Sequence, residues 1–403
     1  TDSHPPAMAA LWGILDRVVP GPTPMLLLQS GCFLAGTYLL LRRTLSPRGA
    51  AFAAVGILLY PPVLAPLVVI WKDCVMAGFF VLGIALMLRE QRRLRIAGLA
   101  LLCAGTAMRY NAPAATLPLV VLLFEWAPGM RWLRRTAIAL AAWIAITAVA
   151  FGLDAALTSR EMHFWESSFA LQDMVGTLAM VDADLPDAEL RPLLAPTQIH
   201  LDHDFHREIR TRYKRAEFTQ LLVGPTALWS MPVAGTQPAP VEQRDAIDHA
   251  WWAIVSGHPG AFVRYRLETF GEMVGIYAHF NGTTVIRHRY QTPERLATMG
   301  IQSTQARWQE HAERDLLAIA KHTPLFRPHL YLIIAIIVGV FARRQRDVLA
   351  LLASGVMMEL TLLPLGATPD YRYSHWLVIC TCLSLVIVVA RRAAGGAIAR
   401  ASV

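Results

Sequence analysis

Repeated long apolar runs are the feature of this chain that most restricts its fold. A helix needs about 20 apolar residues to cross the hydrocarbon core of a membrane, and a soluble domain does not repeat runs of that length. The sequence therefore predicts an all-α polytopic membrane protein. The nine predicted transmembrane helices lie near 24–43, 50–71, 74–89, 95–109, 112–127, 136–153, 325–342, 347–366 and 374–391.

Composition agrees with a membrane protein and argues against nucleic acid as a partner. Apolar residues make up 55% of the chain and charged residues only 16%, with a mean hydropathy of +0.41. The net charge of +8 comes from arginines placed in short clusters beside the apolar runs, as topology signals are. All five cysteines lie in or beside apolar runs, so we expect no structural disulfide.

Prolines and short runs modify the predicted helices. The second run contains Pro61, Pro62 and Pro66, which predict a kink. The third, fourth and fifth runs are short, and flanking Arg and Trp side chains that reach the interface would let them span.

Arginine clusters predict the orientation of the chain. They occur in alternate loops, near 42–48, 89–95, 131–135, 343–346 and 391–392, whereas the opposite helix ends carry mixed charge. By the positive-inside rule the arginine-rich loops and the C-terminus are cytoplasmic, and Thr1 is external. Because the chain starts with Thr1 outside, we expect a first membrane helix upstream of it.

The chain divides into three predicted regions. Residues 1–153 form an N-terminal membrane region whose first external loop is 1–23, and residues 325–403 form a C-terminal one. Residues 154–324 hold most of the His, Asp and Glu residues and have no run of membrane length. Helical spacing of apolar residues in 246–256 and 261–276 predicts that this external, periplasmic domain is mainly helical.

Four short polar clusters fall on the external side of the predicted topology: 1–6, 71–73, 109–111 and 369–375. Basic and aromatic residues at helix ends are often interfacial anchors, which is the simplest interpretation of any one cluster. Anchoring does not need the carboxylates that these clusters also contain. We therefore interpret the four together as a site at the mouth of a cavity.

The residue types suggest a phosphate-handling enzyme. Asp2 is the candidate general base, which takes the proton from an attacking hydroxyl. Lys72, Arg109 and Arg372 are candidates for holding a phosphate leaving group, the arginines through their planar forks.

The other polar residues of the clusters complete the predicted site. Asn111 and Tyr373 suit hydrogen bonds to sugar hydroxyls or phosphate oxygens. Asp73 and Asp370 either orient the cations or bind a divalent metal, which is the only cofactor that the sequence suggests. The predicted substrate-binding residues are His4, Lys72, Asp73, Arg109, Tyr110, Asn111, Asp370, Arg372 and Tyr373.

A second candidate metal site lies in the external domain. His200, His203 and Asp204 are close together in sequence, but their spacing matches no standard zinc pattern. A polar external loop explains the same residues, and both interpretations stay open.

The segment from Asp2 to Pro6, followed by the apolar stretch Met8–Leu15, resembles the first external loop of GT-C-type membrane glycosyltransferases. Within that superfamily it is most similar to the bacterial relatives of protein mannosyltransferases. The resemblance implies a GT-C-like helix bundle, Asp2 as catalytic base and a polyprenyl-phosphate sugar donor. Two features depart from the family pattern. No second acidic residue lies beside Asp2, and the large insert precedes the last three spans.

We therefore expect an inverting glycosyltransferase of the bacterial inner membrane. Its partners would be a polyprenyl-phosphate-linked sugar and a cell-envelope glycan or lipid such as lipopolysaccharide. An O-antigen ligase or polysaccharide polymerase, which would rely on Arg and His residues of the large loop, is the alternative enzyme. A transporter or flippase is the alternative outside enzymes. It would need polar groups near the midplane, where Glu359 is the main candidate, and a hydrogen-bonded helix contact explains Glu359 slightly better.

Overall fold

The computed structural model of the protein describes residues 4–123, 129–159, 161, 163, 165–201, 204–215, 228, 240–277, 297–298, 306–366 and 369–401. Regular secondary structure in these ranges is helical, and they contain no extended strand. The chain divides into two compact units. The smaller unit comprises Thr1–Pro6, Ala155–His279 and Thr361–Pro369, and the larger comprises Ala7–Asp154, Phe280–Leu360 and Asp370–Val403.

Most helices of the larger unit follow the predicted apolar runs in order, whereas Ala7–Val18 and Arg307–His322 are helices where no membrane span was predicted. The N-terminal ones are α1 (Ala7–Val18), α2 (Thr23–Leu41), α3 (Pro47–Leu59), α4 (Pro61–Leu67), α5 (Lys72–Met87), α6 (Arg92–Thr106), α7 (Ala112–Leu123) and α8 (Trp132–Leu157). The smaller unit contributes α9 (Ala170–Ala179), α10 (Asp187–Leu194), α11 (Phe205–Arg212), α12 (Val241–Gly257) and α13 (Pro259–Met273). The remaining helices are α14 (Arg307–His322), α15 (Pro328–Phe341), α16 (Arg346–Leu360), the short α17 (Leu362–Leu365) and α18 (His375–Ala401).

Several of these helices have the length and apolar character of membrane spans. Four qualify singly among the described residues, and a fifth does if the bent pair α3–α4 counts as one span. Only 17% of the most apolar stretch of α8 is buried within the protein, which is expected of a helix that faces lipid. Helices α5, α6, α7 and α15 have 12 to 16 residues, fewer than the roughly 20 needed to cross alone. The count of nine spans stays a prediction.

The predicted kink is confirmed between α3 and α4, which meet at an angle of 70°. Proline has no backbone N–H and its ring clashes with the preceding turn, so Pro61 starts a new helix instead of continuing the old one. The start of α3 is fixed by Ser46, whose hydroxyl accepts a hydrogen bond from the backbone N–H of Gly49 at 3.1 Å.

Helices α5 and α6 approach closely through paired glycines. A β-carbon at Gly98 would lie 2.6 Å from the carbonyl oxygen of Gly83, and one at Gly83 would lie 3.0 Å from that of Gly98. Small residues at helix contacts allow this approach in membrane proteins, where packing replaces the hydrophobic effect between helices. The contact fixes α6 against α5; α5 begins and α6 ends beside the polar residues described below.

Hydrogen bonds through Ser354 connect three helices of the larger unit. The indole N–H of Trp376 in α18 donates to the Ser354 hydroxyl in α16 at 2.8 Å. That hydroxyl in turn donates to the carbonyl oxygen of Ala115 in α7 at 2.7 Å. Trp376 also packs edge-on against Phe80 of α5, with 5.3 Å between the ring centres. The start of α18 is thereby held in place.

The smaller unit has its own apolar core and a buried ion pair. Asp173 in α9 lies 2.5 Å from the guanidinium of Arg266 in α13, and both side chains are almost fully buried. The indole N–H of Trp251 donates to the other Asp173 oxygen at 3.1 Å, and Arg266 donates to the carbonyl oxygen of Gly366 at 3.0 Å. Burial raises the pKa of the nearby Tyr213 to about 12, so its hydroxyl stays protonated at neutral pH. The predicted domain 154–324 shares residues 155–279 with this unit, and its external location stays a prediction.

Candidate functional site

Three of the four predicted polar clusters lie at helix ends of the larger unit. Trp71 directly precedes α5, whose first two residues are Lys72 and Asp73. The segment 109–111 joins α6 to α7. The 3₁₀ turn Tyr371–Ser374 leads into α18, and Asp370 caps it by accepting a hydrogen bond from the backbone N–H of Arg372 at 3.3 Å.

The structure joins the first two of these segments through an ion pair between Arg109 and Asp73. Only 10% of the Arg109 side chain and 3% of the Asp73 side chain are exposed. Arg109 Nε also donates to the amide oxygen of Asn111 at 3.0 Å. A buried pair needs such additional hydrogen bonds to offset the desolvation of its charges. Arg109 is therefore held in one orientation.

The third segment reaches the same place through Arg372. Its guanidinium lies 2.8 Å from the Asp370 carboxylate and 4.6 Å from the centre of the Trp71 ring. Tyr373 lies between the two arginines, with its ring centre 5.0 Å from the Arg109 guanidinium carbon and 5.2 Å from that of Arg372. Aromatic faces attract cations and favour planar guanidinium groups in particular.

Lys72 is close enough to both arginines for its charge to interact with theirs. Three like charges at one place repel unless carboxylates or a bound anion compensate them. In formal charges the three cations balance three carboxylates: Lys72, Arg109 and Arg372 against Asp73, Asp370 and Glu359. We call these six residues the charged cluster.

Glu359 is the member of the charged cluster that was not predicted to belong to it. Its side chain is completely buried near the end of α16, and one carboxylate oxygen accepts a hydrogen bond from the Ser374 hydroxyl at 2.7 Å. The hydrogen-bonded helix contact expected from the sequence is thereby confirmed. Its charge also interacts with that of Arg109, a relationship between distant segments. The detectable signal was a single carboxylate in an apolar run.

His375, the last residue of the fourth predicted cluster, has a packing role. It is fully buried, and its Nε2 is 3.1 Å from the carbonyl oxygen of Val63. Because a carbonyl oxygen only accepts hydrogen bonds, Nε2 carries the proton. The contact ties the start of α18 to α4.

Two predicted residues, His4 and Tyr110, lie away from the charged cluster's contacts. Asp2 lies outside the described residues. His4 is exposed and belongs to the smaller unit. Tyr110 is 41% exposed, and its ring stacks on Phe151 of α8 with 6.3 Å between ring centres.

The described residues contain no group of three or more His, Cys, Asp and Glu side chains that suits a metal ion. Asp73 and Asp370, the proposed metal ligands, each form an ion pair with an arginine. The divalent metal stays a prediction.

In the histidine-rich run of the smaller unit, His203 lies outside the described residues. The neighbouring His206 is almost fully buried, with Nδ1 accepting from the backbone N–H of Leu185 at 3.1 Å. Its Nε2 donates to the carbonyl oxygen of Leu178 at 2.8 Å. Both ring nitrogens of His206 thus form hydrogen bonds within the smaller unit.

Comparisons with protein-family models, with curated proteins and with solved structures gave no match to this chain. Among the described residues, four or five apolar helices are long enough to cross a membrane, which indicates a membrane protein, and the charged cluster is its candidate site.

Proposed function

We propose that the protein is an integral membrane glycosyltransferase. It would move a sugar from a polyprenyl-phosphate donor to a cell-envelope glycan or lipid on the outer face of the bacterial inner membrane. The observation that carries the proposal is the meeting of Lys72, Arg109 and Arg372 at the ends of apolar helices. A lipid phosphate has the matching combination of an anionic head and an apolar chain.

The three cations suit a phosphate ester in different ways. Arg109 and Arg372 offer planar forks of N–H donors that match two phosphate oxygens, and Lys72 adds a point charge. Because the cluster already contains three carboxylates, a phosphate would compete with Asp73 and Asp370 for their arginines. As the bond to the sugar breaks, negative charge grows on the phosphate, and cations fixed in advance stabilise it.

The transfer step needs a base for the acceptor. The acceptor hydroxyl oxygen would bond to the anomeric carbon while the bond from that carbon to the phosphate oxygen breaks. The phosphate leaves with the electron pair, and the hydroxyl proton passes to the base. Attack opposite the leaving group inverts the anomeric centre. The family resemblance alone assigns the base to Asp2.

The arginine-rich loops support the proposed orientation. With those loops in the cytoplasm, 71–73, 109–111 and 369–375 fall on the periplasmic side, where a lipid-linked donor is presented. The predicted external domain 154–324 would then lie on the side of the acceptor.

The test is transfer of radiolabelled sugar from polyprenyl-phosphate donors to envelope acceptors in membranes that carry the protein. Wild type is compared at equal expression with Arg372→Ala, Asp2→Asn and the control Arg314→Ala, whose side chain is 69% exposed. We expect transfer with wild type and the control, and a loss of about 100-fold in Arg372→Ala, as for other transition-state donors.

The other outcomes separate the alternatives. Transfer that survives both Arg372→Ala and Asp2→Asn would contradict the proposed site. Transfer of a whole glycan from a pyrophosphate lipid, and of no sugar from a monophosphate lipid, would identify the ligase alternative. If wild type transfers sugar from neither donor class, the proposal that the protein is a glycosyltransferase is wrong.

A further inference from the structure

Glu359 holds the turn that carries Arg372 through a hydrogen bond from Ser374, and we propose that it is a positioning residue for the anion site. It would hold the turn that carries Arg372 and, through its charge, keep Arg109 in place. The inference rests on the proposed function, since it concerns the same site.

The location of Glu359 needs an explanation. Its side chain is completely buried in an apolar stretch of α16. Moving a carboxylate out of water is unfavourable, and a buried charged group in an apolar stretch normally has a partner and a function. A purely structural contact between α16 and α18 would be made equally well by a neutral side chain.

The first link runs through Ser374. Its hydroxyl donates to Glu359 Oε1 at 2.7 Å, and Ser374 is the last residue of the turn Tyr371–Ser374. The opposite end of that turn is capped by Asp370, which also forms an ion pair with Arg372. The turn is thus fixed at both ends, and Glu359 is what fixes it to α16.

The second link is electrostatic. Glu359 Oε2 is buried and has no hydrogen-bond partner among the described residues. Arg109 provides a positive charge that interacts with it, and Arg109 also forms the ion pair with Asp73. Carboxylates from three segments therefore act on Arg109: Asp73 of α5, Glu359 of α16 and Asp370 before α18.

These two links give Glu359 a direct effect on Arg109 and an indirect effect on Arg372. A site that binds an anion through two guanidinium groups depends on the relative positions of those groups. A shift of about 1 Å is enough to lose most of the favourable interaction with the anion. Removal of the Glu359 charge should therefore weaken anion binding even though Glu359 does not contact the anion.

The experiment measures binding of farnesyl phosphate, a short polyprenyl phosphate without sugar, to the purified full chain in lipid nanodiscs. The variants are Glu359→Gln, which keeps an oxygen for Ser374 but loses the charge, and Ser374→Ala, which keeps the charge but loses the hydrogen bond. Asp347→Asn is the matched control, because Asp347 lies at the other end of α16 and pairs with Arg391. The melting temperature of each variant is recorded alongside.

We expect the dissociation constant to rise about tenfold in Glu359→Gln and by less in Ser374→Ala, with no change in Asp347→Asn. Where transfer is measurable, KM for the donor should rise more than kcat falls. The combined variant should show less than the sum of the two effects, because both substitutions interrupt the same link.

Each other result has a distinct meaning. A lower melting temperature in Glu359→Gln with an unchanged dissociation constant would show that Glu359 is only structural. Tighter binding in that variant would show that its charge competes with the anion, which also overturns the positioning role. Failure of wild type to bind farnesyl phosphate would instead contradict the proposed function.

Discussion

The guanidinium of Arg372 lies over the ring of Trp71, with 4.6 Å between the guanidinium carbon and the ring centre. The two residues come from segments far apart in the chain, one before α5 and the other before α18. Each alone is a typical interfacial anchor. Their contact places a planar cation on an aromatic face, and an interaction of this type distinguishes arginine from lysine.

We expect Trp71→Leu to weaken binding of farnesyl phosphate roughly fivefold, since a cation–π contact contributes about 1 kcal/mol. Trp71→Phe keeps an aromatic face and should retain most of the affinity. Titration of both variants in nanodiscs checks this. Equal losses in the two variants would mean that ring size and packing, and not the attraction between ring and cation, determine the effect.

The ion pair of Arg109 and Asp73 leads to a prediction about stability. Asp73→Asn leaves the buried Arg109 charge without its ion-pair partner and should destabilise the protein by about 3–5 kcal/mol. Arg109→Gln should cost a similar amount for the opposite reason. The double variant removes both charges, so it should be no less stable than either single variant.

A double-mutant cycle tests this prediction. The free energy of unfolding is measured by denaturant in detergent for wild type, both single variants and the double variant. Additive losses would show that the two charges do not interact in the folded protein. Loss of farnesyl phosphate binding is expected in Arg109→Gln whatever the stability result.

The sequence was sufficient to predict three of the segments that meet in the charged cluster, 71–73, 109–111 and 369–375. Local composition identifies apolar runs and the polar residues at their ends, and the described helices begin and end close to the predicted limits. Lys72, Asp73, Arg109, Asn111, Asp370, Arg372 and Tyr373 were selected in this way, and the structure brings them together.

Pairing between segments was not predictable from the sequence. Asp73 was expected to orient a cation, but nothing local indicates that its partner is Arg109 and not Arg372. Glu359 was interpreted as a helix contact in preference to a transport residue, because its relation to Arg109 depends on how α16 packs in the larger unit. Tyr110 illustrates the opposite case: it neighbours Arg109 in sequence, yet its ring stacks on Phe151.

The close contact of α5 and α6 predicts unequal effects of two glycine substitutions. In Gly98→Ala the new methyl group would meet the carbonyl oxygen of Gly83 at 2.6 Å, so the helices must separate, at a cost of about 1–3 kcal/mol. Gly56→Ala is the control, because a β-carbon there meets nothing within 4 Å. Its higher helix propensity should leave stability unchanged or increase it by up to about 1 kcal/mol.

Thermal melting of the two alanine variants in the same detergent makes the comparison. Equal melting temperatures for Gly98→Ala and wild type would show that α5 and α6 are farther apart than the structure has them.

The ion pair of Asp173 and Arg266 should dominate the stability of the smaller unit. Asp173→Asn keeps an oxygen for the Trp251 indole but leaves the Arg266 charge buried and uncompensated, which costs about 3–5 kcal/mol. Trp251→Phe removes the hydrogen bond to the carboxylate together with part of the indole ring, and should cost about 1.5–3 kcal/mol. Arg266 also donates to Gly366, so its displacement should release the segment 361–366 from α13.

Hydrogen exchange of the full chain, measured segment by segment, tests which parts of the smaller unit lose stability. Faster exchange is expected in 170–179, 259–273 and 361–366 of Asp173→Asn, with little change in α5 and α16. The three segments should respond together, because Arg266 contacts both of the others. Faster exchange in 170–179 alone would show that Arg266 keeps its bond to Gly366 without Asp173, and the segment before Asp370 would then be held by other contacts.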